Sequence, residues 1–225
     1  METIILVLRS GGSYGMNDVS LLAKHIHKSM GEVRIICLND QVKEHQYLKG
    51  YNIEILPMHN NWSGWWAKYN LFSPDLQEYR PFLYIDLDTV ILKDLGNIID
   101  CVKKTGKFVT LRDFYQKKLA SGMMWIPESS EKVDELWKNK GGKDFNKWGI
   151  PKLRMDYYIR RIIGSPDLYF QDIVNGIYSF KPHLNGRIHW LHKLPEDAKI
   201  ICFHGYPDMR QVEDKVDWVK QYIYE

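Results

Sequence analysis

Residues 82 to 92 read Phe-Leu-Tyr-Ile-Asp-Leu-Asp-Thr-Val-Ile-Leu, and this stretch decides how the rest of the chain is interpreted. It is apolar like a buried strand, yet it carries two carboxylates, Asp86 and Asp88, with one residue between them. Carboxylates are rarely buried unless they are paired or bind a metal, and ligands of open α/β sheets collect at strand ends. If the strand ends before Asp86, both carboxylates can turn toward one cation that prefers oxygen ligands, such as Mn²⁺ or Mg²⁺.

The composition fits one globular domain with its own core, because 44% of the 225 residues are hydrophobic and 26% are charged. No apolar run approaches the roughly 20 residues that span a bilayer, and the first residues lack the basic start of a signal peptide. We therefore expect a cytoplasmic protein without a transmembrane segment. A net charge of +3 does not argue for nucleic acid and is compatible with a phosphorylated substrate. The three cysteines are expected to be buried free thiols.

Short apolar runs alternate with helical patterns in the first half of the chain, which predicts an α/β fold with a largely parallel sheet and helices on both faces. The second half is less regular, and the stretch 139 to 149 has the composition of a surface loop. The expected strands are Ile4–Leu8, Arg34–Leu38, Ile53–Leu56, Phe82–Ile85, Phe108–Leu111, Met123–Ile126 and Ile200–Phe203. The expected helices are Asn17–Met30, Trp65–Phe72, Glu131–Asn139, Asp156–Ile163 and Gln211–Tyr222.

Three further segments place polar or flexible residues where a ligand could bind. The glycines of Ser10-Gly11-Gly12-Ser13-Tyr14 would let backbone N–H groups approach a phosphate, although an ordinary strand-to-helix turn explains them equally well. Lys68 lies in an aromatic segment, either as a ligand group or as a core-helix lysine that reaches water. His204 follows an apolar run and could complete the coordination of a cation, or it could be a structural histidine.

The motifs taken in order resemble the small GT-A glycosyltransferases related to glycosyltransferase family 8, the group of glycogenin and the lipopolysaccharide galactosyltransferases. The resemblance runs from about residue 4 to residue 207. Its motifs are Ser10 to Tyr14, Gly64-Trp-Trp-Ala-Lys-Tyr-Asn-Leu-Phe72, Tyr84-Ile-Asp-Leu-Asp-Thr-Val-Ile91, Leu111-Arg-Asp-Phe-Tyr115, Ser121-Gly-Met-Met-Trp125 and Cys202-Phe-His-Gly205.

The resemblance implies a GT-A nucleotide-diphospho-sugar transferase fold, with a mostly parallel, Rossmann-like sheet flanked by helices. It implies one domain over residues 1–225, with a nucleotide-binding half at 1–100. A half for the donor sugar and the acceptor, ending in a C-terminal helix, would occupy 101–225. The implied activity is metal-dependent transfer of a hexose from a UDP-sugar, with retention of the anomeric configuration. The acceptor, a glycan, a lipid-linked glycan or a protein, stays open.

The site residues implied by the resemblance begin with the metal. Asp86 and Asp88 match the Asp-x-Asp that binds Mn²⁺, or Mg²⁺, together with the donor diphosphate, and His204 matches the third protein ligand. Lys68, 18 positions before Asp86, matches a basic residue that contacts the sugar nucleotide. Asp156 best matches the Asp of a Gly-Asp-Gln segment beside the transferred sugar, and an exposed acid at a helix N-terminus is the alternative. The remaining donor-binding positions are Leu8, Arg9, Ser10, Gly11, Tyr14, Leu87, Ser121, Gly122 and Gly205.

The chain departs from the family pattern at two places. The glutamine expected after the sugar-side Asp is Tyr157, with Gln171-Asp172 as an alternative match. The lysine expected after His-Gly, which grips the diphosphate, is Asp208, so Arg210 would have to substitute for it.

Two other classes of function also fit Asp86-Leu-Asp-Thr-Val. Haloacid-dehalogenase phosphohydrolases use such a motif with the first Asp as nucleophile, but they carry it near the start of the domain and need an acidic pair downstream. The other class is a binding module that keeps nucleotide or glycan recognition without turnover. The departures at Tyr157 and Asp208 keep that possibility open.

Overall fold

The protein is described here from a computed structural model that covers residues 1–42, 51–139, 155–184 and 187–225. The surface loop predicted at 139 to 149 lies outside these residues, except for Asn139. Among the described residues, no helix has the length and apolar character needed to cross a membrane.

The strands of the described residues are β1 (Thr3–Leu8), β2 (Arg34–Asn39), β3 (Ile53–Pro57), β4 (Phe82–Ile85), β5 (Thr89–Ile91), β6 (Val109–Arg112), β7 (Leu119–Ile126), β8 (Leu168–Tyr169), β9 (Ile177–Ser179), β10 (His183–Leu184), β11 (Arg187–Ile188) and β12 (Ile200–Cys202). The α-helices are α1 (Met16–Met30), α2 (Leu95–Lys103), α3 (Glu131–Asn139), α4 (Met155–Ile163), α5 (Phe170–Ile173) and α6 (Asp217–Tyr224). Segments Gly64–Phe72, Pro74–Tyr79 and Met209–Gln211 are 3₁₀-helices.

The main sheet has seven strands within the described ranges, in the order β3-β2-β1-β4-β7-β6-β8. Strands β3, β2, β1 and β4 are parallel, and β8 is parallel to β6. Strand β7 is antiparallel to both β4 and β6. The predicted mixed α/β fold with a mostly parallel sheet is therefore confirmed.

Helices cover both faces of this sheet because alternate side chains of each strand point to opposite faces. Ile4 and Leu6 of β1 pack in one cluster with α1 and α2. Ile5 packs in the other cluster, with the Gly64–Phe72 segment, α3 and α4. The Asp-x-Asp segment therefore follows a strand that is buried on both faces.

A second sheet of described residues, in the order β5-β12-β9, lies directly after the motif. Strand β5 continues the chain from Asp88 and is antiparallel to β12, which is parallel to β9. Strand β12 ends two residues before His204, and the Phe203 N–H donates to the Asp88 carbonyl at 3.0 Å, so the small sheet joins the chain before His204 to the backbone of the motif.

Several sequence predictions were wrong in detail. The Trp65–Phe72 helix has 3₁₀ rather than α geometry, and the helix expected from Gln211 begins only at Asp217. Cys37 and Cys202 are buried as expected, but the side chain of Cys101 is exposed on α2, where the apolar residues of that helix turn away from it.

Candidate functional site

The chain turns sharply after β4, as expected if Asp86 and Asp88 are both to face one cation. The backbone N–H of Asp86 donates to the Gly122 carbonyl at 2.9 Å, which ties the motif to β7. The N–H of Thr89 donates back to the Asp86 carbonyl at 3.1 Å, which closes a tight turn before β5. Leu87 is buried, so the turn is anchored by its middle residue while the two acids remain half-buried.

Both carboxylate oxygens of Asp86 are already hydrogen-bonded by protein groups. Lys68 Nζ lies 2.6 Å from one oxygen, and the Tyr84 hydroxyl donates to the other. Burial lowers the pKa of Lys68, but the charges of Asp86, Asp156 and Asp88 outweigh this effect and leave it raised. Lys68 is therefore protonated at neutral pH and lies within a group of acids.

The negative charge of Asp88 is less well compensated by neighbouring positive groups than that of Asp86. Its backbone carbonyl accepts a hydrogen bond from the Phe203 N–H at 3.0 Å, which holds it against the end of β12. Burial, and next the Asp86 charge, raise the pKa of Asp88 to about 7, and Lys68 and Lys181 counter this only in part. The pair of acids is short of positive charge, which is the electrostatic condition a divalent cation would relieve.

Asp156 joins the same cluster from α4. Its carboxylate accepts a hydrogen bond from the Ser121 backbone N–H at 3.0 Å, and its charge acts on Lys68. Gly122 packs closely beside Asp86, because a Cβ there would lie 3.5 Å from Asp86 Oδ2 and 3.4 Å from a Leu111 methyl group. The structure therefore brings Lys68, Asp86, Asp156 and the Ser121-Gly122 segment together, as the resemblance implies.

The predicted nucleoside edge lies at the neighbouring strand ends. The Ser10 backbone N–H donates to Asp40 Oδ1 at 2.8 Å, and Arg9 forms an ion pair with the same carboxylate while its Nε donates to the Trp62 carbonyl at 3.1 Å. A cavity of about 440 Å³ opens there, lined by the ends of β2 and β3. Sequence reasoning missed Asp40, although a charge directly after an apolar strand is the same signal that singled out Asp86.

Three further predicted donor-binding residues, Leu8, Gly11 and Tyr14, lie at the end of β1 and in the loop that follows it. Leu8 is the last residue of β1, and Gly11 has a φ of 77°, a conformation that favours glycine. Burial, and next the charges of Asp88 and Asp208, raise the pKa of Tyr14, whose side chain packs against the core cluster that contains β1, α1 and α2.

His204 lies at the end of β12 with a neutral ring. Burial, and next the charge of Lys181, lower its pKa to about 4, and Nε2 lies 2.7 Å from the Ser179 hydroxyl. Phe114 stacks on the imidazole with ring centroids 5.6 Å apart. His204 and Gly205 both have positive φ, at 30° and 75°.

Lys181 holds this turn in place. Its Nζ donates to the carbonyls of His204 and Tyr206, each at 2.7 Å. Neither Lys181 nor Ser179 carries a sequence signal, since each acts only through tertiary contacts.

The residues present fit a divalent cation by their chemistry. Asp86 and Asp88 supply hard oxygens and His204 supplies a neutral imidazole, a donor set that suits Mn²⁺. In this conformation no three His, Cys, Asp or Glu side chains of the described residues form a ready metal-binding group. His204 would have to exchange its hydrogen bond to Ser179 for the metal, so its assignment as a ligand stays a prediction.

The side chains concerned in the two departures from the family pattern, Arg210, Tyr157 and Gln171, each have a defined position in the structure. Arg210 pairs with Asp18 at 2.7 Å, so its guanidinium is engaged on α1. Tyr157 is exposed at the start of α4. Gln171 is bonded through both amide atoms to the backbone of Arg112, at 2.8 and 2.9 Å.

The fold is that of solved GT-A glycosyltransferases. Among solved structures, the chain is similar over 98% of its length to 93% of the galactosyltransferase LgtC, solved in complex with donor and acceptor sugar analogues, with a TM-score of 0.63 and 12% identity. It is also similar over its whole length to 60% of the glycosyltransferase GlyE of Streptococcus pneumoniae TIGR4, with a TM-score of 0.62 and 12% identity.

A third similar structure is the bifunctional glycosyltransferase WbbM, of which the chain spans half, with a TM-score of 0.62 and 14% identity. No model of a known protein family matches the sequence, and no curated protein matches it. At these identities the likeness establishes the fold.

Proposed function

We propose that the protein is a metal-dependent glycosyltransferase that moves a hexose from a UDP-sugar to an acceptor hydroxyl. One observation carries the proposal: in a GT-A fold, Lys68, Asp86, Asp88 and Asp156 converge at the end of β4. With a divalent cation on these acids, the cation and Lys68 would supply the positive charge that a sugar diphosphate needs.

The donor would lie along the strand ends of the main sheet. The nucleoside would occupy the cavity beside Arg9, Ser10 and Asp40, whose volume of about 440 Å³ is within the usual range for small-molecule sites. Tyr14 would lie between this cavity and the carboxylates, and the diphosphate would bind at the carboxylates. The choice of uridine rests on the family resemblance described above.

The chain's own groups supply charge where the reaction develops it. When the bond from sugar C1 to the diphosphate breaks, negative charge grows on the leaving phosphate, and the protonated Lys68 would stabilise it. The divalent cation, when held by Asp86, Asp88 and His204, would act as a Lewis acid toward the same diphosphate.

Asp156 would act on the sugar side of the breaking bond. The anomeric carbon becomes positively charged, and a nearby carboxylate stabilises such a centre or orients the donor hydroxyls. The Ser121 N–H fixes the Asp156 carboxylate at 3.0 Å, so the group is oriented before the donor binds. Retention of configuration follows from the family resemblance.

The two alternative functions, a phosphohydrolase and a binding module, can be distinguished from a glycosyltransferase by experiment. A phosphohydrolase would use Asp86 as a nucleophile and cleave phosphate esters, so release of inorganic phosphate from such esters distinguishes it. A binding module would bind nucleotide without cleaving a sugar nucleotide, so turnover distinguishes it.

The test is release of UDP from UDP-glucose, UDP-galactose and UDP-N-acetylglucosamine, followed by chromatography with Mn²⁺ or with EDTA. We expect slow hydrolysis of at least one donor, dependent on Mn²⁺ and reduced at least about 100-fold in Lys68→Met. Lys103→Met, which removes an exposed lysine paired with Glu2, is the matched control and should behave as wild type. Nucleotide binding without release from any donor would favour the binding module and contradict transfer.

A further inference from the structure

Two segments of the candidate site, the first loop (residues 10–15) and the C-terminal turn (residues 204–211), are connected through an ion pair between Asp18 and Arg210. We propose that this pair positions the two segments relative to each other. Arg210 is then a positioning residue and does not replace the diphosphate lysine that the family resemblance implies. The part of this inference that concerns nucleotide binding rests on the proposed function, whereas the connection between the segments does not.

Asp18 is attached to the end of the first loop by two hydrogen bonds. It is the third residue of α1, and its Oδ2 accepts the Gly15 backbone N–H at 2.7 Å. Its own backbone N–H donates to the Gly15 carbonyl at 3.0 Å. These bonds fix the backbone where the loop enters α1, so a force on the Asp18 carboxylate acts directly on the loop.

Arg210 is attached in the same way to the C-terminal turn. It lies in the 3₁₀-helix Met209–Gln211, whose first residue is buried in a cluster with Phe203. At the other end of the turn, Lys181 Nζ donates to the His204 carbonyl at 2.7 Å. The turn that carries the predicted metal ligand is therefore held by Lys181 at its start and by Arg210 near its end.

The two partners of the ion pair are unequally exposed, which distinguishes it from an ordinary surface pair. Arg210 Nη2 lies 2.7 Å from Asp18 Oδ1, and the Asp18 side chain is 5% exposed whereas that of Arg210 is 55% exposed. Exposed pairs contribute little, but a buried carboxylate that loses its partner is costly. If Arg210 left to bind a diphosphate, the Asp18 carboxylate would keep, among the bonds of the described residues, the Gly15 N–H alone.

Tyr14 shows that charges from both segments meet at the first loop. Burial, and next the charges of Asp88 and Asp208, raise its pKa, and Asp86 and Asp18 add to this rise. Because Coulomb energy depends on distance, a shift of the loop away from the C-terminal turn would change the charge environment of Tyr14 and of the acids. The relative position of the two segments therefore affects the electrostatics of the candidate site.

The direct test is hydrogen exchange of backbone amides, measured by NMR on the protein without nucleotide. In Arg210→Met we expect the amides of Gly15 and Asp18 to exchange at least about fivefold faster, because the loop loses its distant support. In Asp18→Asn we expect the same change at Gln211 and Val212, whose amides are hydrogen-bonded within the C-terminal turn. Each substitution is thus read out in the segment that does not carry it.

Two further variants control this experiment. Arg210→Lys keeps the positive charge and should show exchange close to that of wild type. Arg34→Met, which breaks an arginine–glutamate pair at the start of β2, should leave both segments unchanged. The amides of β1 report global unfolding and should exchange equally in every variant. Faster exchange confined to the segment that carries the substitution would overturn the proposed connection.

Calorimetric titration with UDP and Mn²⁺ separates positioning from direct diphosphate binding. We expect Arg210→Met and Asp18→Asn each to weaken UDP binding at least about fivefold, with no further loss in the double variant, because the two side chains act as one unit. If Arg210 gripped the diphosphate, Arg210→Met would weaken binding and Asp18→Asn would not. That result, or wild-type affinity in both variants, would overturn the positioning role. Absence of UDP binding by the wild-type protein would contradict the proposed function, and the exchange experiment would then decide this inference alone.

Discussion

Lys181 shows how a single buried cation can organise the candidate site. It is 5% exposed, and its ammonium donates to the carbonyls of His204 and Tyr206. Its charge also acts on Asp88, which counters part of the rise in that acid's pKa. The family resemblance implies a lysine where this chain has Asp208, and Lys181 supplies a buried positive charge to the same turn.

Lys181→Met keeps the aliphatic stem but leaves two carbonyls without their donor. We expect a loss of about 2 kcal/mol in the free energy of unfolding, because unsatisfied buried acceptors are costly. We also expect Mn²⁺-dependent nucleotide affinity to fall at least about tenfold, because the His204 turn loosens. Urea unfolding and calorimetry measure the two effects, with Lys199→Met, a more exposed lysine paired with Asp94, as control. Wild-type values for Lys181→Met in both would contradict this role.

Strands and helices of the first half could be predicted because each is long enough to show its hydrophobic period. The C-terminal helix was placed too early because Asp208 and Gln211 form a capping box around a single 3₁₀ turn, a local arrangement that resembles a helix start. The sequence predicts a helix over Trp65–Phe72 but not its 3₁₀ geometry, because a run of aromatic residues does not distinguish periods of 3.0 and 3.6.

The candidate site residues also fall into those that a sequence pattern indicates and those that it does not. The groups found from the sequence, such as Asp86 and Lys68, stand out because they interrupt an apolar run. Those that were missed, Tyr84 and Ser179 among them, lie inside ordinary strands and gain their roles only through partners distant in the chain. Such contacts depend on tertiary packing, which a pattern along the chain does not contain.

The turn that positions β9 against β12 depends on Gly176. Its φ is 90°, and a Cβ there would lie 2.3 Å from the Asp197 carbonyl and 2.9 Å from Lys199 Cγ. We expect Gly176→Ala to destabilise the fold by about 2–4 kcal/mol, measured by urea unfolding. Gly164→Ala is the matched control, because its φ of 71° carries the backbone strain alone and nothing lies within 4 Å of the added carbon. Equal effects of the two substitutions would show that the close approach at Gly176 is not what constrains the turn.

Over the chain as folded, the two sheets explain why distant motifs form one site. Asp86 directly follows strand β4 of the main sheet, and β5, which follows Asp88, pairs with β12, which precedes His204. Helix α4 and the Gly64–Phe72 segment close the opposite side with Asp156 and Lys68.

The most direct measurement is calorimetric titration with UDP and with GDP, each in Mn²⁺ and in EDTA. It is performed on wild type, Asp88→Asn and His204→Ala, with the exposed Asp100→Asn as control. We predict that UDP binds only with Mn²⁺ and that both site substitutions weaken its binding at least about tenfold, while Asp100→Asn does not. Absence of binding to either nucleotide, or equal affinity in EDTA, would contradict a metal-dependent nucleotide site at the end of β4.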